Sequence, residues 1–263
     1  MNKISSVAGK LRDLRTNLRF KLAANYDING YRRIYHIHIR KTGGTSLNYM
    51  FISLVKGMDT ESAVYGEMVA AKDHRVMREG KIYVGWNDKL IDQGHYYYAF
   101  AHTPLHLLAL PPKTFTITVL RDPVKRVLSH YRMLVEYREN KVDHPAMKRE
   151  GDWLGESLDD FLDRIPAEDL LRQVYMFSPQ FNVDEAYREI TNCSHFMFTE
   201  DFEAGTLSLN SKLGVDLKSI HMRRTKSSPQ ISEKQISRLR DMLVKEYELV
   251  DRLKVFQASE VIK

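Results

Sequence analysis

An α/β fold, a single domain whose central, mostly parallel sheet is flanked by helices, is what this sequence predicts from three observations. Stretches rich in β-branched and aromatic residues alternate with stretches of helical periodicity, the order that buries a parallel sheet between two helix layers. Two of the apolar stretches, 34–39 and 115–120, each run into a short polar turn and then into a helical pattern. At 263 residues, 43% hydrophobic and 28% charged, the chain can bury one sizeable core, and nothing in its composition requires a second domain.

Residues 34–39 are the first expected strand, and a helix over 45–56 follows a turn. Leu47, Met50, Phe51, Leu54 and Val55 fall at the spacing of one helical face. A mixed charged region, 58–94, shows no sustained period. Strands are expected at 96–101 and 114–120, the second ending at Arg121-Asp122-Pro123. There Asp122 suits an N-cap and Pro123 the first helical position of a helix over 123–138. Val124, Val127, Leu128 and Tyr131 form its apolar face, with Asp122, Lys125, Arg126 and Ser129 on the other.

The polar run over 139–167, with Asp143-His144-Pro145 and Lys148-Arg149-Glu150-Gly151-Asp152, reads as an exposed insertion. Helices over 157–164 and 168–177, a strand at 195–199, a helix over 203–213 and a long helix over 232–255 complete the order. Residues 1–30 form a basic amphipathic helix preceding a domain over 31–263. Within 1–25, Lys3, Lys10, Arg12, Arg15, Arg19 and Lys21 interleave with Val7, Leu11, Leu14 and Leu18. Packing on the domain's own surface is the expectation there, with peripheral membrane contact the alternative. The apolar positions are too interrupted for a secretory signal or a transmembrane span.

Chemistry concentrates in two segments. In Arg40-Lys41-Thr42-Gly43-Gly44-Thr45-Ser46, two glycines allow close backbone approach, and the first turn of the following helix offers unpaired N–H groups. Lys41 adds a charge, and Thr42, Thr45 and Ser46 add hydroxyls, so the segment is a candidate phosphate cradle. The order differs from the nucleotide triphosphatase loop, in which lysine follows the glycines. In the second segment, Arg121 brings a guanidinium fork and Ser129 a hydroxyl to another helix N-terminus, a second anion site.

Together these segments resemble the sulfotransferase superfamily that uses 3′-phosphoadenosine 5′-phosphosulfate (PAPS). Lys41-Thr42-Gly43-Gly44-Thr45-Ser46 looks like its 5′-phosphosulfate loop. Arg121-Asp122-Pro123-Val124-Lys125-Arg126-Val127-Leu128-Ser129 looks like its 3′-phosphate motif, in which Arg121 and Ser129 would hold the phosphate. The likeness extends over residues 34–255 and is closest to the bacterial and glycan-type (heparan sulfate 2-O-sulfotransferase-like) members. His221-Met222-Arg223-Arg224-Thr225-Lys226 stands where a family loop closes over the nucleotide, and the resemblance carries Thr225 over as a cofactor contact, although Arg223 departs from that family's asparagine.

The resemblance implies a phosphate-loop sulfotransferase fold, PAPS as co-substrate, no metal, and Lys41 acting on the leaving oxygen. It also implies a histidine base just after the strand at 96–101, which here is His102. His95, His106 and Glu67 are the alternatives. A glycan or hydroxylated small molecule is the expected acceptor, an amine the variant, and a cytoplasmic, bacterial setting the expected one.

Net charge of +6 and a pI near 9.2 favour anionic partners. Neither a zinc-finger spacing, a basic zipper nor an RNA-recognition strand pattern is present, so nucleic acid is not an expected partner. The single cysteine, Cys193, cannot pair within the chain and reads as inert packing beside a buried strand. His36 and His38 alternate on a strand without further ligand-type neighbours, so a core or supporting role is expected in place of metal binding. A phosphate-loop kinase or nucleotidase is the competing enzyme class, and Asp122 is its one nearby magnesium-holding candidate. An anion- or membrane-binding module built on residues 1–25 is the nonenzymatic one.

Overall fold

The computed structural model of the chain describes residues 18–55, 61–219 and 231–261. Its core is a six-stranded sheet of β1 (Arg33–Ile37), β2 (Arg75–Arg78), β3 (Lys81–Gly85), β4 (Tyr98–Ala101), β5 (Thr114–Leu120) and β6 (His195–Phe198), in the order β2-β3-β4-β1-β5-β6. All neighbours pair parallel except β2 and β3, which form an antiparallel hairpin at one edge. The chain builds one side of β1 first, through β4, then passes to the other side for β5 and β6. β1 therefore lies where the connections change sides, the place at which open α/β sheets hold ligands beyond their strand C-termini.

Helices cover both faces. On one, α1 (Gly44–Ile52) and α2 (Glu61–Ala70) meet Ile34, Tyr98, Phe100, Ile117 and Val119 of the sheet. The apolar stripe of α1 lands there as its spacing predicts, with Leu47, Met50 and Phe51 fully buried. On the other face, Tyr35, Ile37, Ala99, Ala101 and Leu120 meet Ile190, Leu249 and Leu253. The α/β class and the sheet between two helix layers are thus as expected.

The charged stretch 58–94 is more ordered than its sequence pattern indicates: it holds α2, the β2–β3 hairpin and α3 (Asp88–Gln93). Short edge strands such as Arg75-Val76-Met77-Arg78 bury only half their residues, so their period is faint. The expected strand and helix around Asp122 are β5 and α4 (Pro123–Glu139), and the Asp122 side chain accepts the Lys125 N–H at 2.8 Å.

Other expectations fail. Residues 139–167 are not an exposed insertion, because α5 (Pro145–Glu150) and α6 (Leu158–Arg164) bring Ala146, Leu154, Leu158 and Phe161 into a third apolar cluster against α4. Arg126, assigned from its spacing to the polar face of α4, is 1% exposed. It enters a network with α7 (Ala167–Leu170), α8 (Arg172–Tyr175) and the C-terminal helices. The long helix expected over 232–255 is two, α11 (Glu233–Met242) and α12 (Val244–Val261), with α9 (Val183–Thr191) and α10 (Phe202–Leu213) before them. Ser232 caps α11 in a reciprocal pair with Gln235. Of the helix expected over residues 1–30, residues 18–30 fall within the described chain: 18–23 are helical, but 24–30 are not, because Asn29 and Gly30 take left-handed backbone in a turn that bridges Ile28 to Tyr31.

Candidate functional site

Because β1, β4 and β5 run parallel and adjacent, the segments leaving their C-terminal ends converge. Ile37 lies beside Ala101 on one side and Thr118 on the other. One step further on, the loop after β1, His102 after β4 and Arg121 after β5 share an edge.

Between β1 and α1, Lys41 (φ 69°) and Gly43 (φ 87°) both take left-handed backbone, flanking Thr42. Such alternation curls successive N–H groups into an anion-binding concavity. Gly43 is the N-cap of α1 with no side-chain cap, so the helix end presents its N–H groups unscreened by a capping hydroxyl. Thr45 and Ser46 occupy the first turn, half-buried.

Thr42 has another job than the expected anion contact: its buried hydroxyl donates to the Ile39 carbonyl at 2.9 Å, closing the loop on itself. Directly after β6, the Thr199 hydroxyl sits between the carbonyls of Thr42 (2.5 Å) and Leu120 (3.0 Å), joining the loop to the end of β5. Sequence spacing offers no sign of this contact, which is made across 157 residues.

Arg121 joins the two segments directly. Its guanidinium donates to the Lys41 carbonyl at 3.0 Å, and its Nε is buried without a partner. Gln173 clamps its backbone from both sides: Arg121 N–H donates to Oε1 at 2.8 Å, and Nε2 donates to the Arg121 carbonyl at 3.1 Å. Gln173 is held in turn by Glu246, which accepts the Gln173 N–H at 2.7 Å and Nε2–H at 2.8 Å. Glu246 also faces buried Arg126 at 3.4 Å, and Arg126 donates to the Asp169 and Leu170 carbonyls. A buried, fully engaged carboxylate thus fixes the end of β5. Ser129 lies half-buried as the seventh residue of α4, its hydroxyl with no hydrogen bond among the described residues.

Arg40 is committed elsewhere than expected, pairing with Glu150 of α5, which also accepts from His130 at 2.8 Å. Burial alone would raise the Glu150 carboxyl, but hydrogen bonds from His130 and Arg40 outweigh it and hold it at about 2. The stretch first read as a solvated insertion is therefore tied to the loop by an ion pair. Asp122 is fully used too, one oxygen capping α4 and the other 3.3 Å from the Tyr247 hydroxyl, so it is an N-cap and not a poised magnesium ligand.

His102 stands half-buried directly after β4, as its sequence position predicts. Its Nδ1 is 2.8 Å from the His38 carbonyl, which can only accept, so Nδ1 carries the proton and Nε2 the lone pair. Burial, aided by Arg40, Arg172 and His36 and against the pull of that hydrogen bond, lowers its pKa to about 3. The ring is a neutral acceptor across the physiological range.

Its ring centroid lies 4.4 Å from that of His38, which stacks at 4.8 Å on His36. The rings stack and do not converge, and among the described residues no three His, Cys, Asp or Glu side chains are grouped to hold a metal ion. Arg172, unmarked in the sequence, donates to the His102 carbonyl at 3.2 Å.

The alternatives to His102 sit differently. His106 is exposed on a short 3-10 turn, and Glu67 is paired with Arg78 at the surface. His95 precedes β4, away from its C-terminal end. Cys193 is held inert by burial, its thiol pushed up to about 12. Arg223 and Thr225 lie outside the described residues. Among the described residues no helix is long and apolar enough to cross a membrane.

Fold and site together define an α/β protein with two cationic helix N-termini joined at the carboxyl edge of its sheet. No family model matches the chain, and no curated protein does.

Proposed function

We propose that the protein is a PAPS-dependent sulfotransferase, moving a sulfuryl group to a hydroxyl acceptor of a carbohydrate or hydroxylated small metabolite. What supports the reading most is the Arg121–Lys41 hydrogen bond: two phosphate-type segments, 80 residues apart, share one site. Two such segments of different make suit a nucleoside with anions at two separate positions, whereas a triphosphate chain offers a single run of phosphates.

In this reading the 5′-phosphosulfate lies on the N–H groups of residues 43–45, the Ser46 N–H being taken by the Gly43 carbonyl at 2.9 Å, and the 3′-phosphate lies at Arg121 and Ser129. The acceptor oxygen attacks sulfur in line, the bond from sulfur to the bridging oxygen breaks, and 3′-phosphoadenosine 5′-phosphate leaves. Negative charge grows on that bridging oxygen, where Lys41 and the preorganised N–H groups stabilise it. His102, with its lone pair on Nε2, takes the hydroxyl proton. Its low basicity suits a transfer late in the step, when the attacking oxygen has become acidic through bonding to sulfur.

Calorimetry with 3′-phosphoadenosine 5′-phosphate and with adenosine 5′-phosphate tests the reading. Loss of one charge-assisted partner typically costs about 1.5–3 kcal/mol, so the 3′-phosphorylated nucleotide should bind roughly ten- to a hundredfold tighter. Equal affinities would end the assignment.

A further inference from the structure

We propose that His38 is a further anion-contacting residue of the loop, held by Asn48 as the neutral tautomer that carries its proton on Nε2. This inference rests on reading the loop as an anion site, but not on the identity of the nucleotide.

Asn48 is a polar residue on the fully buried face of α1. One of its amide atoms lies 2.8 Å from the Tyr98 hydroxyl and 2.8 Å from His36 Nδ1. An oxygen there accepts from both, which leaves the proton of His36 on Nδ1. The amide nitrogen then lies 3.4 Å from His38 Nδ1, which must offer a lone pair. Burial keeps His38 uncharged, and the neighbouring His102 and His36 rings and the cations Arg40 and Lys41 disfavour a charge on it as well. A neutral ring with its lone pair on Nδ1 has its proton on Nε2.

That N–H has no partner among the described residues, and unlike the fully enclosed Nε2 of His36 it is not shut off from solvent, so a ligand can reach it. The edge that carries it abuts Gly44: a Cβ there would collide with His38 at Cδ2 and Nε2 and lie 2.8 Å from His36 Cε1. The glycine thus opens the first turn of α1 toward the ring. On its far side His38 touches the ring of His102. His38 therefore stands between the loop and the base, where its Nε2–H would supply one more donor to an anion seated on the N–H groups of Gly43 and Gly44.

The test uses the whole protein labelled with nitrogen-15 and observes the histidine ring nitrogens by NMR, with inorganic phosphate as the probe. Nε2 of His38 should show the shift of a protonated nitrogen and Nδ1 that of a bare one. On adding phosphate, the Nε2 signal should move in step with the Gly43 and Gly44 amides. His38→Phe, which keeps a flat ring without the donor, should weaken phosphate roughly ten- to a hundredfold. Asn48→Asp should draw a second proton onto His38 and make phosphate affinity pH-dependent, a response that loss of packing alone would not produce.

A proton on Nδ1, or an Nε2 signal that stays still while the two glycine amides saturate, would overturn the proposal. So would unchanged phosphate affinity in a folded His38→Phe. If phosphate moves His38 but the 3′-phosphorylated nucleotide binds no better than adenosine 5′-phosphate, the sulfotransferase reading falls and the role of His38 stands.

Discussion

Alanine is the better helix former, yet Gly44→Ala should destabilise this protein. Gly44 opens α1 and its backbone is not left-handed, so alanine fits the local conformation and gains up to about 1 kcal/mol of propensity. Packing opposes it. The added Cβ would overlap the His38 ring and press on His36 at 2.8 Å. Neither ring can retreat, since His36 and His38 are 0% and 5% exposed, stacked on each other and bonded to Asn48. Overfilling a packed core costs about 1–3 kcal/mol, and contacts as short as 2.2 Å put this site in the upper half of that range, so a net loss of roughly 1–2 kcal/mol remains after the propensity term.

Gly66→Ala is the control. Gly66 lies within α2 with no atom within 4 Å of a built Cβ, so the same substitution there should stabilise by about 0.5–1 kcal/mol. Urea unfolding of the two variants and wild type, read as midpoints at constant slope, decides the matter. A Gly44→Ala midpoint at or above wild type would refute the argument, because the histidine stack would then be yielding and the loop not closely seated on it.

Lys41→Ala should lower turnover with PAPS on the order of a hundredfold to a thousandfold while changing nucleotide affinity less; a loss confined to affinity would make Lys41 a binding residue only. His102→Ala should lower single-turnover transfer by about a hundredfold to ten-thousandfold with nucleotide binding kept, and wild-type rates in the folded variant would move the base elsewhere. With its pKa near 3, His102 should give a wild-type rate that is flat from pH 5 to 8 and falls only in stronger acid, so an inflection near 6.5 that disappears in the variant would contradict its burial. Burial also holds His36 and His195 near 4. Between these values and the unfolded histidine's ~6.5 the unfolded chain binds more protons, so stability is full above about pH 6.5 and declines as pH falls toward 4. Urea midpoints that are equal at pH 7 and pH 5 would speak against that.

Much of the site's local chemistry can be read along the chain. The turn from Arg40 to Ser46, the N-cap at Asp122 with Pro123 behind it, and His102 at the end of a buried strand all depend on neighbours a few residues away. Arg126 is misassigned in the sequence, and Asn48 goes unremarked there, for a shared reason. A polar residue in an amphipathic pattern is assigned to solvent unless a buried partner is known, and Asn48 meets Tyr98 across 50 residues while Arg126 meets Glu246 across 120. Glu150 was misplaced likewise: a run of charges marks surface, yet Arg40 and His130 satisfy this one inside.

By itself the sequence determined where strands and helices alternate, which turns carry glycine and cation, and which helix ends are capped, because these follow from side-chain periodicity and backbone freedom within a few residues. Only the tertiary structure decided that β1 lies between β4 and β5, and therefore that loop, base and Arg121 meet. It also decided which polar side chains become interior. Strand order and buried hydrogen-bond partners are set by contacts between distant segments, whose energy no local pattern encodes.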